Sequence, residues 1–166
     1  MKNKRIQRDT DKMTKPEISD FGSVDPAPPS EIENLQKLNN ILIDENARMF
    51  ERMRVVFSLR NNGSKESVKC LSNGFKSNSA LLKHEIAYVM GQMQNKEALP
   101  FLVERLEDES EHVMVRHEAA EAIGAIGCLS SKSILERFVN HELPEISESC
   151  EVALDLLSHY NKDSFE

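Results

Sequence analysis

The chain has no tryptophan, 5% aromatic residues, and only six glycines and six prolines in 166 residues. Sheet-rich domains draw on aromatics and on frequent glycine or proline turns, so this scarcity argues against one. The 39% of apolar residues is mostly Leu, Ile, Val, Ala and Met, a mixture that favours helices over sheets. No apolar run approaches the roughly 18 residues that span a bilayer, and the N-terminus lacks the apolar stretch of a signal peptide. No membrane association and a cytoplasmic location are therefore expected. The three cysteines, Cys70, Cys128 and Cys150, are odd in number and far apart, without a C-x-x-C pair. That excludes a cysteine zinc site or a disulfide framework and predicts reduced, buried thiols. Basic residues are also scarce where folding is expected. Residues 1–22 hold six Lys/Arg against four Asp/Glu, leaving 15 against 24 for residues 23–166 of a chain whose net charge is −7. An acidic surface of this kind repels nucleic acid and attracts cationic partners.

What is present is a tail, a proline segment and a repeat. Residues 1–22 are polar and without an apolar period, and are expected to be a disordered tail. Residues 23–30, SVDPAPPS, form a proline-rich linker, because three prolines fix φ and hold their predecessors extended. Residues 31–160 alternate helical apolar patterns with short breaks, and 161–166 are a short C-terminal tail. Within the long segment Glu51, His84, His117 and Cys150 stand at one constant interval, and similar text follows each: ERMRVVFSL, HEIAYVMGQ, HEAAEAIGA and CEVALDLLS. Recurrence at a fixed period predicts an all-α, HEAT-like helical-repeat solenoid of about four helix pairs. First helices are expected over about 31–43, 65–75, 98–106 and 131–139, and second helices over about 49–60, 79–93, 113–125 and 145–160. Asn62-Gly63, Asn95, Gly127 and Pro144 punctuate them.

Two second helices carry a His-Glu pair in register, His84-Glu85 and His117-Glu118, and these four residues are the candidate metal-ligand set. Neighbouring second helices of a solenoid lie about 8–10 Å apart, so equivalent side chains share one wall and both imidazoles can converge on one ion. Adjacent residues on a helix project about 100° apart, which places Glu85 and Glu118 to one side of the imidazoles. That position suits a second metal or a substrate amine. Two imidazoles, carboxylates and open coordination positions fit Fe(II) and oxygen chemistry better than a closed zinc site. Lys83 and Arg116 precede the histidines, and Gly91 and Gly124 follow them as close-packing points, C-caps or room for a substrate chain. His112, His141 and His159 lack register partners and read as surface histidines. Met90, Met93 and Met114 read as core or wall.

The motifs SVDPAPP, FERMRVVFSLRN, SALLKHE, GQMQ, MVRHEAAEAIGAIG and ESCEVALD, in that order over about residues 21–157, resemble deoxyhypusine hydroxylase. The resemblance implies HEAT repeats whose His-Glu motifs hold a di-iron centre, two Fe(2+) per complete site, and hydroxylation of the deoxyhypusine side chain of translation factor 5A. It implies that His84 and His117 hold one iron, that Glu85 reaches toward the other, and that Glu118 orients or binds the substrate beside Gly91 and Met114. Glu85 and Glu118 are thus the candidate catalytic residues.

Members of that family carry four His-Glu pairs in two halves, and this chain carries two, in text resembling the C-terminal half. Neither Glu51-Arg52 nor Cys150-Glu151 supplies the missing pairs. Three arrangements follow: a fragment of a full enzyme that works with an N-terminal half, a homodimer that rebuilds four pairs, or a non-catalytic HEAT-repeat adaptor.

Overall fold

The computed structural model describes residues 15–161, and among them every regular element is helical. Within this range eight α-helices run in four antiparallel pairs: α1 (Leu35–Ile43) with α2 (Met49–Asn62), α3 (Lys65–Asn73) with α4 (Ala80–Met93), α5 (Leu99–Glu107) with α6 (Val113–Ile126), and α7 (Lys132–Phe138) with α8 (Pro144–Tyr160). Short 3₁₀ turns follow α3 and precede α5 and α7.

Local chemistry sets most of the boundaries. Asn34, Ser64 and Ser79 accept backbone N–H groups three positions on, which caps α1, α3 and α4. Pro144 opens α8, where its missing N–H is not needed. Gly63 and Gly127 end α2 and α6 in the left-handed region, at φ +69° and +76°, where glycine carries no steric penalty. The expected helices are all present, with one difference at the start. The first helix begins at Leu35 rather than near residue 31, because Asn34 is its cap.

The second helices α2, α4, α6 and α8 pack side by side as one wall, and the first helices cover its back. α6 is sandwiched by α4, α8 and α5 and is therefore buried around most of its circumference, including Val115, Ala119, Ala120, Ile123 and Gly124. The second helices start at Met49, Ala80, Val113 and Pro144, so the interval is wider between α4 and α6 than on either side of them, and the period is not uniform. Arg52 Nε donates to the Leu42 carbonyl at 2.9 Å and Arg116 Nε to the Leu106 carbonyl at 3.0 Å, equivalent bonds in the first and third helix pairs. By helix start, the positions matching His84 are Met53 in α2 and Glu148 in α8, which corrects the Glu51 and Cys150 register.

The segment ahead of α1 departs from a simple tail and linker. Residues 1–14 lie outside the described residues, as do 162–166 of the C-terminal tail. Residues 15–30 lie along α2: Arg60 holds Asp25 at 2.7 and 3.0 Å, the Phe21 ring lies 4.4 Å from the Arg60 guanidinium carbon, and Arg54 donates to the carbonyls of Pro28 and Pro29. Ala27 is buried. The prolines keep this segment extended, which exposes those carbonyls to α2. Of the three thiols only Cys150 is fully buried; Cys70 and Cys128 are partly exposed, so the expectation of three buried thiols holds for one.

Candidate metal centre

His84 and His117 occupy the fifth position of α4 and α6, one turn in from the N-terminal end. Because these two helices are neighbours and their starts differ by the same interval as the histidines, the rings meet. They stack with centroids 5.8 Å apart at an interplanar angle of 28°. Glu118 completes the group: its Oε2 lies 3.1 Å from His84 Nε2 and 3.6 Å from His117 Nε2. One ligand atom from each of the three residues lies within 4.8 Å of the others. The side chains are 26%, 21% and 9% exposed for His84, His117 and Glu118, so the site opens to solvent through the imidazoles and is closed behind the carboxylate.

The helical projection that separates Glu118 from His117 does not keep it away from the imidazoles. It carries the carboxylate across the groove to α4, where His84 stands. A separation of about 100° on one helix still turns the carboxylate to the neighbouring helix, which supplies the contact. Glu85 is different. It is half-buried on α4 and is not among the converging donors. Burial is the main influence on its carboxyl and pushes its pKa above the ordinary value, with Glu118 and Asp25 adding to the rise against His84 and Arg60. The hydrogen bond to Glu118 raises the His84 pKa, against the opposing effect of burial, and the charges of Glu118, Glu85 and Glu121 add to the rise.

Further side chains at the site have no signal in the repeat register. Ser149 on α8 has its Oγ 2.9 Å from His117 Nδ1, and Glu121 Oε1 lies 3.3 Å from the same nitrogen. Glu121 is detectable as the residue one helical turn after His117. Ser149 is not, because the period points to Cys150. The basic residues ahead of the histidines belong to the scaffold: Lys83 pairs with Glu111, and Arg116 ties α6 to the end of α5 through the Leu106 carbonyl.

Two shallow grooves flank the group. One, of about 360 Å³, runs beside His117 between Met114, Glu121, Glu145, Glu148 and Val152. The other, of about 390 Å³, is lined by Tyr88, Gly91, Glu118, Glu121 and Val152. Met114 is 44% exposed at the first groove. Gly91 borders the second, yet its missing side chain serves packing: a Cβ there would sit 3.0 Å from the Ala122 Cα. Met90 is core, Met93 is partly buried, His112 is the exposed cap of α6, and His159 is exposed; His141, expected at the surface, is only partly exposed.

Chemically, two imidazole nitrogens and one carboxylate oxygen form a donor set of the 2-His-1-carboxylate kind. Such a set leaves coordination positions open and suits non-haem Fe(II). The donors present therefore fit an iron ion.

Comparison with known proteins gives a consistent picture. Residues 71–155 match the family of HEAT repeats. The chain is similar to the deoxyhypusine hydroxylase of Danio rerio, 45% identical over 146 residues that make up 88% of this chain and 48% of the relative. It is also similar to that of Homo sapiens, 41% identical over 151 residues, or 91% and 50%. Among solved structures, human deoxyhypusine hydroxylase in complex with glycerol superposes with a TM-score of 0.83 at 42% identity, covering 87% of this chain and 50% of that one. The CpcE and CpcF complex of phycocyanin lyase from Nostoc, with a TM-score of 0.57 at 19% identity, shares the fold alone. The chain spans about half the length of the curated relatives it matches.

Proposed function

Because the chain belongs to the HEAT-repeat family and is homologous to deoxyhypusine hydroxylases over half their length, we propose that it is one iron-binding half of such an enzyme. In this reading the complete site hydroxylates the deoxyhypusine residue of translation factor 5A in the cytoplasm. The observation that carries it is the convergence of His84, His117 and Glu118 on one wall of the solenoid.

His84, His117 and Glu118 would hold one iron, and Glu85, outside the converging donors, would reach toward a second iron held by the facing half. Bound iron supplies the activation of dioxygen for hydroxylating a carbon–hydrogen bond. The protein's own contribution is positioning. The deoxyhypusine side chain carries amines, and the groove beside His117 offers Glu121, Glu145 and Glu148 to pair with them. Met114 and Val152 line the same groove and can pack along the methylene stem. Glu118 acts as a ligand in this reading, since its carboxylate faces both imidazoles, and the substrate contact falls to its neighbours.

One chain offers three converging donors among the described residues, too few for two irons about 3.5–4 Å apart. A facing half, from an N-terminal half or from a second copy across a two-fold axis, would complete the set. The test is hydroxylation of deoxyhypusine-bearing translation factor 5A as a function of chain concentration, with and without an added N-terminal half. Activity that rises with the square of chain concentration at low occupancy supports the homodimer. Activity that appears only with the added half supports the two-part enzyme, and full turnover by a strictly monomeric chain refutes the half-site reading.

A further inference from the structure

We propose that Ser149 and Glu121 are positioning residues that hold His117 with its ring proton on Nδ1, leaving the Nε2 lone pair turned toward His84 and Glu118. The consequence for metal affinity rests on the metal reading above; the tautomer itself does not.

Ser149 is buried on α8. A serine hydroxyl has one proton and two lone pairs. Its Oγ stands 2.7 Å from the Glu145 carbonyl oxygen, the i−4 carbonyl of its own helix, and that oxygen can only accept. The other oxygen in reach is Glu121 Oε1 at 3.3 Å, also an acceptor when ionised. With the serine proton committed to an oxygen, Oγ meets His117 Nδ1 at 2.9 Å through a lone pair, so the ring must donate. Glu121 Oε1, 3.3 Å from the same Nδ1, makes the same demand. A neutral imidazole carries one N–H; placing it on Nδ1 frees Nε2, the nitrogen that faces Glu118 Oε2 at 3.6 Å. Two acceptors supplied by two different helices, α6 and α8, therefore select one tautomer and fix the ring plane. Metal-bound histidines need that kind of partner on the far nitrogen, and its loss costs about 10–100-fold in affinity.

The experiment uses the full chain without metal, at a pH above the imidazole range, with the ring nitrogens of His117 read by 15N–1H correlation. A single Nδ1–H ring is expected. In Ser149→Ala combined with Glu121→Ala the signal should shift toward the Nε2–H form that free histidine prefers, while Ser149→Thr, which keeps the hydroxyl, should retain the original form. Titration with Co(II) should show the double variant about tenfold weaker or more, and the threonine variant near the original affinity. His117 found as Nε2–H in the unaltered chain overturns the proposal, as does a double variant that keeps both tautomer and affinity. A chain that binds no Co(II) yet shows the Nδ1–H ring and its loss in the double variant upholds the positioning and refutes the metal reading.

Discussion

Arg60 shows how much a single side chain can organise. It is fully buried, and its guanidinium holds Asp25, Gln92 and Asn61 while two phenylalanine rings, Phe21 and Phe57, flank it. A buried cation requires this degree of satisfaction, because an unpaired one costs several kcal/mol. Asp25→Asn should therefore destabilise the fold by about 3 kcal/mol, the low end for breaking a buried pair, since Gln92 and Asn61 remain; the difference in denaturant midpoints measures it. Burial raises the Asp25 pKa, but the hydrogen bonds from Arg60 and Ser23 and the Arg60 charge outweigh it and leave the carboxyl below its ordinary 3.8. A folded pKa below the unfolded one means that the stabilisation is present above about 3.8 and is lost as pH falls through the depressed value. The gap between Asp25→Asn and the unaltered chain should accordingly be full at neutral pH and shrink in acid below that point. A gap that grows on acidification would contradict the assignment. None of this was legible beforehand. An arginine late in a helix looks like a solvated residue, and only the docking of residues 15–30 turns it inward. The Cys150 thiol is a simpler case: burial pushes it up to about 11, so it should resist thiol reagents at neutral pH in the folded chain while Cys128 reacts.

At the scale of helices, what was readable is the pattern that local chemistry writes. The breaks at Asn62-Gly63, Asn95, Gly127 and Pro144 and the helical apolar spacing placed all eight helices within a few positions, because these signals act over one or two turns. The packing between helices was not readable in the same way. The expected period is true only of α4 and α6, the helices that carry the His-Glu pairs, and the shorter interval from α6 to α8 moves Ser149 rather than Cys150 against His117. Gly91 and Gly124 are where helices touch. A Cβ at Gly124 would lie 2.8 Å from the Ala153 Cα and 2.7 Å from its Cβ, whereas at Gly91 the closest approach is 3.0 Å to the Ala122 Cα. Replacing a helical glycine with alanine gains about 1 kcal/mol of helix propensity, and forcing a closed contact costs about 1–3 kcal/mol. Gly91→Ala should thus be near neutral and Gly124→Ala clearly destabilising, by about 1–2 kcal/mol, in urea unfolding. Gly124→Ala should also push α8 outward and weaken the Ser149 contact to His117. Equal stability of the two variants would mean that α6 and α8 are not in the contact described.

Among the described residues the chain forms a four-pair solenoid whose wall of second helices presents one three-donor group beside acidic grooves. The donors were legible as a His-Glu recurrence, since matching positions on neighbouring helices must lie side by side. The direction of Glu118 was not, because it depends on which helix is its neighbour. Anaerobic Fe(II) binding to the chain and its single variants, by equilibrium dialysis, tests whether one chain holds one iron through His84, His117 and Glu118. One Fe(II) per chain is expected, with an affinity reduced about 100-fold or more in His84→Ala, His117→Ala and Glu118→Ala, since even an outer partner of a ligand is worth about 10–100-fold, and little change in Glu85→Ala where the chain is monomeric. Full iron retention by the histidine variants, or by Glu118→Ala, would contradict it.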